Sequence, residues 1–218
     1  MRMISFEKVG LSFGSQKLFD ALTTVLPSGQ VTTVTGHNGS GKSTFLRLAA
    51  KFLAPDTGRV TVKDEDALLQ KDTFRSRIAI VTPEWKLYPR LTAEENLRFL
   101  LGLRGIELSS EEVFSLWERV GLRREELDHT FSDRLSTGMR QRVKLAVLLA
   151  SKADFWFLDE PGSNLDPTGL QMLLRETRQA ASEGKLILWA TNDPREEAAA
   201  DAVIHLPWNQ AGLPKGAA

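Results

Sequence analysis

The C-terminal third of the chain alternates between short apolar runs and helical repeats. Continuous apolar runs are typical of strands in a parallel sheet that is covered on both faces, and three of them occur here, at residues 155–158, 186–190 and 203–206. Asp166 and Asp193 each precede a proline, as a helix N-cap precedes a proline at the first helical position. Gly184 then ends the first of these helices. The alternation predicts an α/β fold.

The N-terminal part of the chain predicts hairpins followed by a loop and a helix. Short β-prone stretches are separated by turn residues; the stretches are residues 4–6, 22–26 and 31–35, and the turns contain Gly10, Gly14 and residues 27–29. Residues 43–53 then repeat apolar side chains at helical spacing until Pro55. Strand, loop and helix are therefore the expected local order.

The middle of the chain predicts a helical insertion between strands. Residues 59–62 and 78–81 have the composition of strands, and the pattern is helical from there to about Ser151. Two capping boxes begin helices within it, Thr92 with Glu95 and Ser109 with Glu112. We expect a single domain over residues 1–218, with a helical subdomain at about 85–150 inserted in the core and a loose tail at 208–218.

The composition excludes several classes of function. Lys plus Arg and Asp plus Glu each number 28, so the formal net charge is zero and no direct binding of nucleic acid is expected. The chain has no cysteine, which excludes disulfides and thiolate metal sites and fits a reducing cytoplasm. No apolar run approaches the roughly 20 residues that span a bilayer. Any work at a membrane therefore requires a partner chain.

A glycine-rich loop between a predicted strand and a predicted helix matches the P-loop pattern G-x-x-x-x-G-K-S. Its residues are Gly36, His37, Asn38, Gly39, Ser40, Gly41, Lys42 and Ser43. The glycines let backbone amides turn towards phosphate oxygens, and the helix N-terminus adds the positive end of its dipole. We expect Lys42 to reach the β- and γ-phosphates of ATP, Ser43 to ligate Mg²⁺ and Thr44 to bond near the α-phosphate. The structural alternative is a glycine-rich turn that arose by chance.

Two carboxylates follow the first buried apolar run. Asp159 suits the magnesium shell, usually through water, and Glu160 is a candidate to take a proton from an attacking water molecule. The structural alternative is an acid pair that caps the turn before Pro161.

Two further motifs complete a resemblance to a known family. Residues 135–142, Leu-Ser-Thr-Gly-Met-Arg-Gln-Arg, precede an amphipathic helix upstream of Asp159, and residues 163–166, Ser-Asn-Leu-Asp, follow Glu160. The order of the four motifs resembles that of ATP-binding-cassette (ABC) ATPases over nearly the whole chain. The size and signature are similar to those of the haem-exporter ATPases of cytochrome c maturation. The resemblance implies a P-loop core with a parallel sheet, an N-terminal antiparallel β subdomain and an inserted helical subdomain.

The resemblance also implies an activity and partners. We expect a Mg²⁺-dependent ATPase that acts as the nucleotide-binding subunit of an ABC transporter, in the cytoplasm on the inner face of the cell membrane. ATP on one P-loop would be capped by the signature residues Ser136, Thr137 and Gly138 of a second copy, or of a related ABC chain, in a head-to-tail dimer. Residues 85–88, which contain Trp85 and Tyr88, fall in the segment where transporter ATPases meet the membrane permease, and packing within the chain is the alternative role for the two side chains.

Three side chains are assigned with a structural alternative open for each. Phe13 stands where the family stacks an aromatic ring on adenine, and alternatively it is an edge-strand aromatic. Ser136 alternatively only caps its helix. Asn192 alternatively only shapes the turn before the helix that begins at Pro194. Trp156 and Trp189 lie inside apolar runs and are expected in the core.

Two positions depart from the family pattern. Pro83 stands where the Q-loop glutamine is expected, and it cannot ligate a metal, so Glu84 beside it becomes the candidate ligand. Asn192 stands where the switch histidine is expected, and it can donate a hydrogen bond but cannot carry a proton charge. These departures leave open a regulatory module that binds ATP and scarcely hydrolyses it. A second alternative to a transporter subunit is a soluble ABC ATPase that acts on nucleic acid or the ribosome.

Overall fold

The computed structural model describes residues 1–127 and 129–208. Its strands are β1 (Met3–Phe13), β2 (Gln16–Pro27), β3 (Val31–Thr35), β4 (Thr57–Asp64), β5 (Ala67–Leu68), β6 (Ile78–Val81), β7 (Phe155–Asp159), β8 (Leu186–Ala190) and β9 (Ala202–His205). Its helices are α1 (Lys42–Ala49), α2 (Lys71–Ser76), α3 (Ala93–Gly102), α4 (Ser110–Val120), α5 (Arg124–Leu127), α6 (Thr137–Ala150), α7 (Pro167–Ser182) and α8 (Pro194–Ala198), with a 3₁₀ turn at Ser132–Arg134. The predicted α/β fold class is confirmed.

The parallel sheet forms the centre of the molecule, in the strand order β6-β7-β8-β3-β9. Every residue of β3, β7 and β8 is buried, because these strands lie inside the sheet with elements packed on both faces. Their continuous apolar character has this origin. The predicted strands at 78–81 and 186–190 match β6 and β8 residue for residue.

The second sheet is antiparallel, in the order β2-β1-β4-β5. The predicted break at Gly10 is wrong, because β1 continues through this residue and pairs with β4 there. A Cβ added to Gly10 would lie 2.4 Å from the hydroxyl oxygen of Thr57. Glycine is present because the two strands approach closely at this point, and the chain does not turn.

Local signals fixed the starts of the helices better than their ends. Both predicted capping boxes are present, at Thr92 before α3 and at Ser109 before α4. Helix α1, however, ends at Ala49 although the apolar spacing predicts residue 53. The chain adopts a left-handed conformation at Lys51, with φ of 56°, and the amide of Leu53 donates back to the carbonyl of Arg47. Helix α2 and strand β5 are short and were not predicted.

Two hydrophobic clusters cover the faces of the parallel sheet. One contains side chains of α3, α4, α6 and α7 together with Trp156 and Trp189, which are 2% and 1% exposed and are core residues as predicted. The other joins α1 and the antiparallel sheet, and within it the rings of Phe6 and Phe45 stack with centroids 4.7 Å apart. The phosphate-loop helix is therefore anchored to both sheets.

The end of the described chain still packs on the protein. The Trp208 side chain is half-buried against the second cluster, so ordered packing extends into the segment expected as a loose tail. The rest of that predicted tail, residues 209–218, lies outside the described residues. Within the described ranges, the helices are all too short or too polar to cross a membrane.

Candidate functional site

Four neighbouring strands of the parallel sheet end at the same edge, and each is followed by one of the predicted motifs. Strand β3 leads into the glycine loop, β7 ends in Asp159 before Glu160, β8 leads to Asn192, and β6 leads to the turn that contains Glu84. Ligands of open α/β sheets bind at this carboxyl edge. The fold therefore brings together side chains that lie up to 150 or so positions apart in the sequence.

The glycine loop is held by left-handed backbone and by its own lysine. Gly39 and Gly41 have φ of 80° and 101°, which glycine adopts without strain. The buried Lys42 ammonium donates to the carbonyls of Gly36, at 2.8 Å, and His37, at 3.2 Å. A point charge therefore sits at the centre of the loop.

The loop has the properties of a phosphate cradle. Apart from Gly39 and its two chain neighbours, no atom of the described residues lies within 4 Å of a Cβ added to Gly39, so the backbone there is open to a ligand. The hydroxyl oxygen of Ser40 is buried and has no hydrogen-bond partner among the described residues. Helix α1 begins directly after the loop, so its free amides and positive dipole end face the same space. These features fit a bound polyphosphate.

A cavity of about 430 Å³ lies over the loop. The cavity is lined by Glu160, by the hairpin residues Phe13, Gln16 and Leu18, and by the loop and helix-start residues Asn38, Gly39, Gly41, Lys42, Ser43 and Thr44. Phe13 is 56% exposed, which is unusual for a phenylalanine inside a strand and leaves its ring available for stacking. Sequence reasoning missed Gln16 and Leu18. They reach the cavity because Gln16 pairs with Phe13 across the β1–β2 hairpin.

The first carboxylate of the site is buried and bonded to the loop. The Asp159 side chain is 7% exposed and forms a hydrogen bond with the hydroxyl of Ser43. Burial raises the pKa of Asp159, and the charges of Glu160 and Glu84 also raise it, whereas the bond with Ser43 lowers it.

The donor set at Asp159 fits Mg²⁺. Within the described ranges, no three His, Cys, Asp or Glu side chains form a metal cluster on their own. Mg²⁺ characteristically takes one or two protein oxygens together with substrate phosphates. The oxygens of Ser43 and Asp159, beside a phosphate cradle, match this requirement.

Glu160 has an unusual backbone conformation, with φ of 47°. A left-handed glutamate is strained and persists only when neighbouring bonds hold it. Its amide donates to the carbonyl of Ala190, at the end of β8, over 2.9 Å, and its carbonyl accepts from the amide of Ser163 over 3.0 Å. These bonds direct the chain so that Glu160 lines the cavity.

Asn192 follows β8 and contacts the glycine loop. Its side-chain amide donates to the side-chain oxygen of Asn38 over 2.7 Å. The amide of Thr191, one residue earlier, donates to the carbonyl of Val34 at the end of β3. The loop after β8 is therefore fixed to the strand that leads into the phosphate loop.

The turn after β6 places Glu84 within electrostatic reach of Asp159. Hydrogen bonds from its own backbone amide and from the Thr82 hydroxyl lower the pKa of Glu84, and the cations Arg47 and Lys144 lower it further. Lys144, on α6, was missed by sequence reasoning because it resembles any polar residue of a helix. Its ammonium is buried, bonds the Thr82 carbonyl at 3.3 Å and lies 5.8 Å from the centroid of the Trp85 ring.

The signature residues lie apart from the P-loop cavity. The Ser136 hydroxyl accepts from the amide of Met139 over 3.1 Å and caps α6, as its structural alternative stated. Thr137 lines a different groove, of about 470 Å³, with Pro83 and Asn164. A Cβ added to Gly138 would lie 2.9 Å from the carbonyl of Asn164, so α6 approaches the segment after Glu160 closely.

Comparison with known proteins agrees with this geometry. The family model described as ABC transporter matches residues 19–163. The arginine transport ATP-binding protein ArtM of Bacillus subtilis is 32% identical over 197 residues, which cover 88% of this chain and 81% of that protein. The cytochrome c biogenesis ATP-binding export protein CcmA of Haemophilus influenzae is 32% identical over 186 residues, 85% of this chain and 86% of that protein.

Solved structures show the same fold. An ATP-binding subunit of an ABC transporter superposes with a TM-score of 0.77 at 26% identity, over 94% of this chain and 85% of its own. A dimeric post-hydrolysis structure of the ATP-binding cassette MJ0796, bound to ADP and Pi, has a TM-score of 0.78 at 22% identity, over 93% of this chain and 94% of its own. On these grounds the chain belongs to the ABC transporter family and is an ABC-type ATPase.

Proposed function

We propose that this ATPase is the nucleotide-binding subunit of an ABC transporter, peripheral on the cytoplasmic face of the membrane, and that ATP-dependent closure of a head-to-tail dimer drives transport. One observation carries the transport role. An apolar groove of about 640 Å³ lies along β6, beside the turn that contains Glu84. The similar protein ArtM is named for arginine transport and CcmA is named for export, and both names agree with this role.

The groove lies where the parallel sheet meets the helical segment. Phe52 and Leu103, which are 54% and 70% exposed, lie on it together with Leu100 and Trp85, and Arg75 and Arg104 add cations. Such exposed apolar side chains in one concave surface mark a binding site for a partner. An amphipathic helix from a cytoplasmic loop of a permease matches its shape and chemistry. Trp85 links the groove to the turn that holds Glu84.

The catalytic edge supports hydrolysis of the γ-phosphate. Lys42 would exchange its loop carbonyls for the β- and γ-phosphate oxygens, and Ser43 and Asp159 would hold Mg²⁺, which when bound would supply positive charge to the phosphates. Glu160 accepts the proton of the attacking water, and its fixed backbone keeps the carboxylate in the cavity. Phe13, which lines the same cavity, stacks on the adenine ring.

The two family departures are accommodated by neighbouring side chains. Asn192 donates a neutral hydrogen bond at the γ-phosphate once ATP separates it from Asn38, with which it is bonded here. Glu84, on the turn after β6, is the residue that would contribute to holding the metal in place of the missing glutamine. Its lowered pKa keeps it ionised for that task.

The position of the signature supports the dimer. Ser136 and Gly138 stand at the N-terminus of α6, where the positive end of the helix dipole suits a phosphate, yet neither lines the P-loop cavity of the same chain. A second protomer in head-to-tail orientation brings its signature over this cavity.

Glu160→Gln tests the base. We expect turnover to fall by about 10²- to 10⁴-fold, because the amide cannot accept the water proton, while ATP binding persists and ATP-bound dimers accumulate. Steady-state phosphate release and light scattering with ATP measure both effects, and Glu125→Gln on the exposed surface is the matched control. Parental turnover of Glu160→Gln removes this residue from the base role. A parent protein that binds ATP without turnover would instead favour the regulatory module.

Asn192→Ala tests the γ-phosphate contact. Losing one neutral hydrogen bond of about 1 kcal/mol should lower turnover about fivefold while the Kd for ATP changes little. Asn192→His should keep or raise turnover, because a protonated imidazole donates a bond of roughly twice the strength. Turnover assays beside calorimetric titration separate the two parameters. Parental turnover of Asn192→Ala would show that Asn192 only shapes its turn.

Mixing two inactive variants tests the dimer. Lys42→Ala lacks a working P-loop and Ser136→Arg lacks a working signature, so a mixed head-to-tail dimer contains one intact composite site. An equal mixture should recover up to about a quarter of parental activity, since half the dimers are mixed and each has one good site of two. A chain that carries both changes must stay inactive. An inactive mixture, together with activity strictly linear in protein concentration, would favour a monomeric enzyme.

Leu103→Glu tests the groove. A carboxylate buried against the partner should weaken association with a co-expressed membrane permease by about thirtyfold, as loss of a central interface anchor does. ATP turnover of the isolated chain should not change, because Leu103 does not line the P-loop cavity. Phe114→Glu changes a similarly exposed apolar residue on α4 and is the control. Undiminished association in detergent extracts would contradict the groove assignment, and co-purification with ribosomes or nucleic acid would favour the soluble alternative.

A further inference from the structure

One buried carboxyl near the catalytic edge has no part in the function proposed so far. Glu196 lies on the short helix α8, directly after the loop that carries Asn192, and it is 3% exposed. Burying a carboxyl group is costly unless it makes specific bonds. Its neighbours on α8, Arg195 and Glu197, are exposed or half-buried. The inward direction of Glu196 therefore requires an explanation from its contacts.

One side of the Glu196 carboxyl fixes the loop after β8. Its Oε2 accepts from the indole nitrogen of Trp189 over 2.9 Å, and the carboxyl also bonds the hydroxyl of Thr191. The same hydroxyl accepts from the amide of Asp193 over 2.9 Å. Glu196 thus bonds Trp189 and Thr191, which precede Asn192 in the chain. Through the Thr191 hydroxyl it is also linked to Asp193, which follows Asn192. Burial raises the pKa of Glu196, and the two hydrogen bonds oppose that shift.

The other carboxyl oxygen lies against the segment after Glu160. A Cβ added to Gly162 would lie 1.9 Å from Glu196 Oε1 and 3.0 Å from its Cδ. Gly162 has no left-handed φ, so alanine is compatible with the backbone and only the space is lacking. The carboxyl of Glu196 occupies the place where any larger residue would put its side chain.

The segment with Gly162 is a tight turn that begins at Glu160. The amide of Ser163 donates to the Glu160 carbonyl over 3.0 Å, and the amide of Leu165 donates to the Gly162 carbonyl over 3.1 Å. A displacement of Gly162 therefore moves Glu160. Interiors pack closely enough that such a displacement is not absorbed locally.

We infer that Glu196 is a positioning residue that holds the Asn192 loop at a fixed distance from the turn after Glu160, and that Gly162 is small in order to admit its carboxyl. The inference rests on the roles proposed for Glu160 and Asn192. Through this contact, the proton acceptor and the γ-phosphate donor keep one geometry. A misplacement of about 1 Å at a reacting group can cost as much as 10²-fold in rate.

A double-mutant cycle tests the contact. Glu196→Ala removes the carboxyl, and Gly162→Ala displaces it by overlap, so each should lower kcat about tenfold while the Kd for ATP stays within about twofold. In the double variant the carboxyl no longer occupies this space and only Leu170 Cδ1, a flexible side-chain end 3.2 Å from the added Cβ, remains close, so kcat should be near that of Glu196→Ala alone. Glu196→Gln keeps the shape and an acceptor for Trp189, and we expect it to recover most of the parental kcat.

The controls separate positioning from stability. Glu197→Ala removes a carboxyl from the same helix, and Gly102→Ala adds a Cβ where no atom lies within 4 Å. Both should leave kcat unchanged. If Glu196→Ala does not fold, Glu196→Asp replaces it, because the shorter side chain withdraws from Gly162 and should relieve the effect of Gly162→Ala.

Two results would overturn the inference. One is parental kcat in folded Glu196→Ala, with only the Tm lowered. The other is a double variant whose loss of kcat equals the product of the two single losses, since independent sites multiply. Neither result depends on the outcome for Glu160→Gln. Parental turnover of Glu160→Gln would remove Glu160 from the base role, but the effect of the contact between Glu196 and Gly162 on kcat could still be measured.

Discussion

The hydrogen bonding of β3 between β8 and β9 is the constraint on which the site depends. Its register pairs Val34 with Ala190 and Thr35 with His205. The ladder continues past the strand ends, because the amide of Thr191 donates to Val34 and that of Glu160 donates to Ala190. The phosphate loop, the Asn192 loop and the Glu160 turn are thus tied by backbone bonds before any side chain contributes.

This arrangement concentrates like charges at one edge. Burial raises the pKa of Asp159, and the charges of Glu160 and Glu84 raise it further. A polyphosphate adds further negative charge within a few ångströms. Polyphosphate binding is favourable only if cations and oriented backbone amides lie between the phosphates and these carboxylates. The fold supplies Lys42, the start of α1 and a pair of oxygens suited to Mg²⁺.

The sequence predicts those parts of the molecule that local chemistry determines. Strands β6 and β8 were located to the residue, because continuous apolar runs between turn residues leave little choice. Both capping boxes and the glycine loop are local as well. The left-handed turn at Lys51 that ends α1 early has no such signal, and Gly10 was misjudged because its reason lies in Thr57 on another strand.

The same distinction holds for the candidate site. Motifs with fixed spacing named the loop, the carboxylates and Asn192, and the sheet brings them together. Leu18, Lys144 and Glu196 were missed, because each acts across a contact between distant segments. Their sequence neighbourhoods are those of an ordinary strand residue and of two ordinary helical surface residues. Only the packing of α6 and α8 turns Lys144 and Glu196 inward.

The turn after β6 connects the two surfaces that the proposed function requires. The Thr82 carbonyl accepts from Lys144 on α6, and its hydroxyl accepts from the amide of Trp85 over 3.2 Å. Pro83 fixes one backbone dihedral between them. Trp85 also lines the apolar groove, whereas Glu84 acts electrostatically on Asp159. The bond between Thr82 and Trp85 closes this turn on itself, so under the proposed function a helix seated in the groove against Trp85 would also displace Glu84 relative to Asp159.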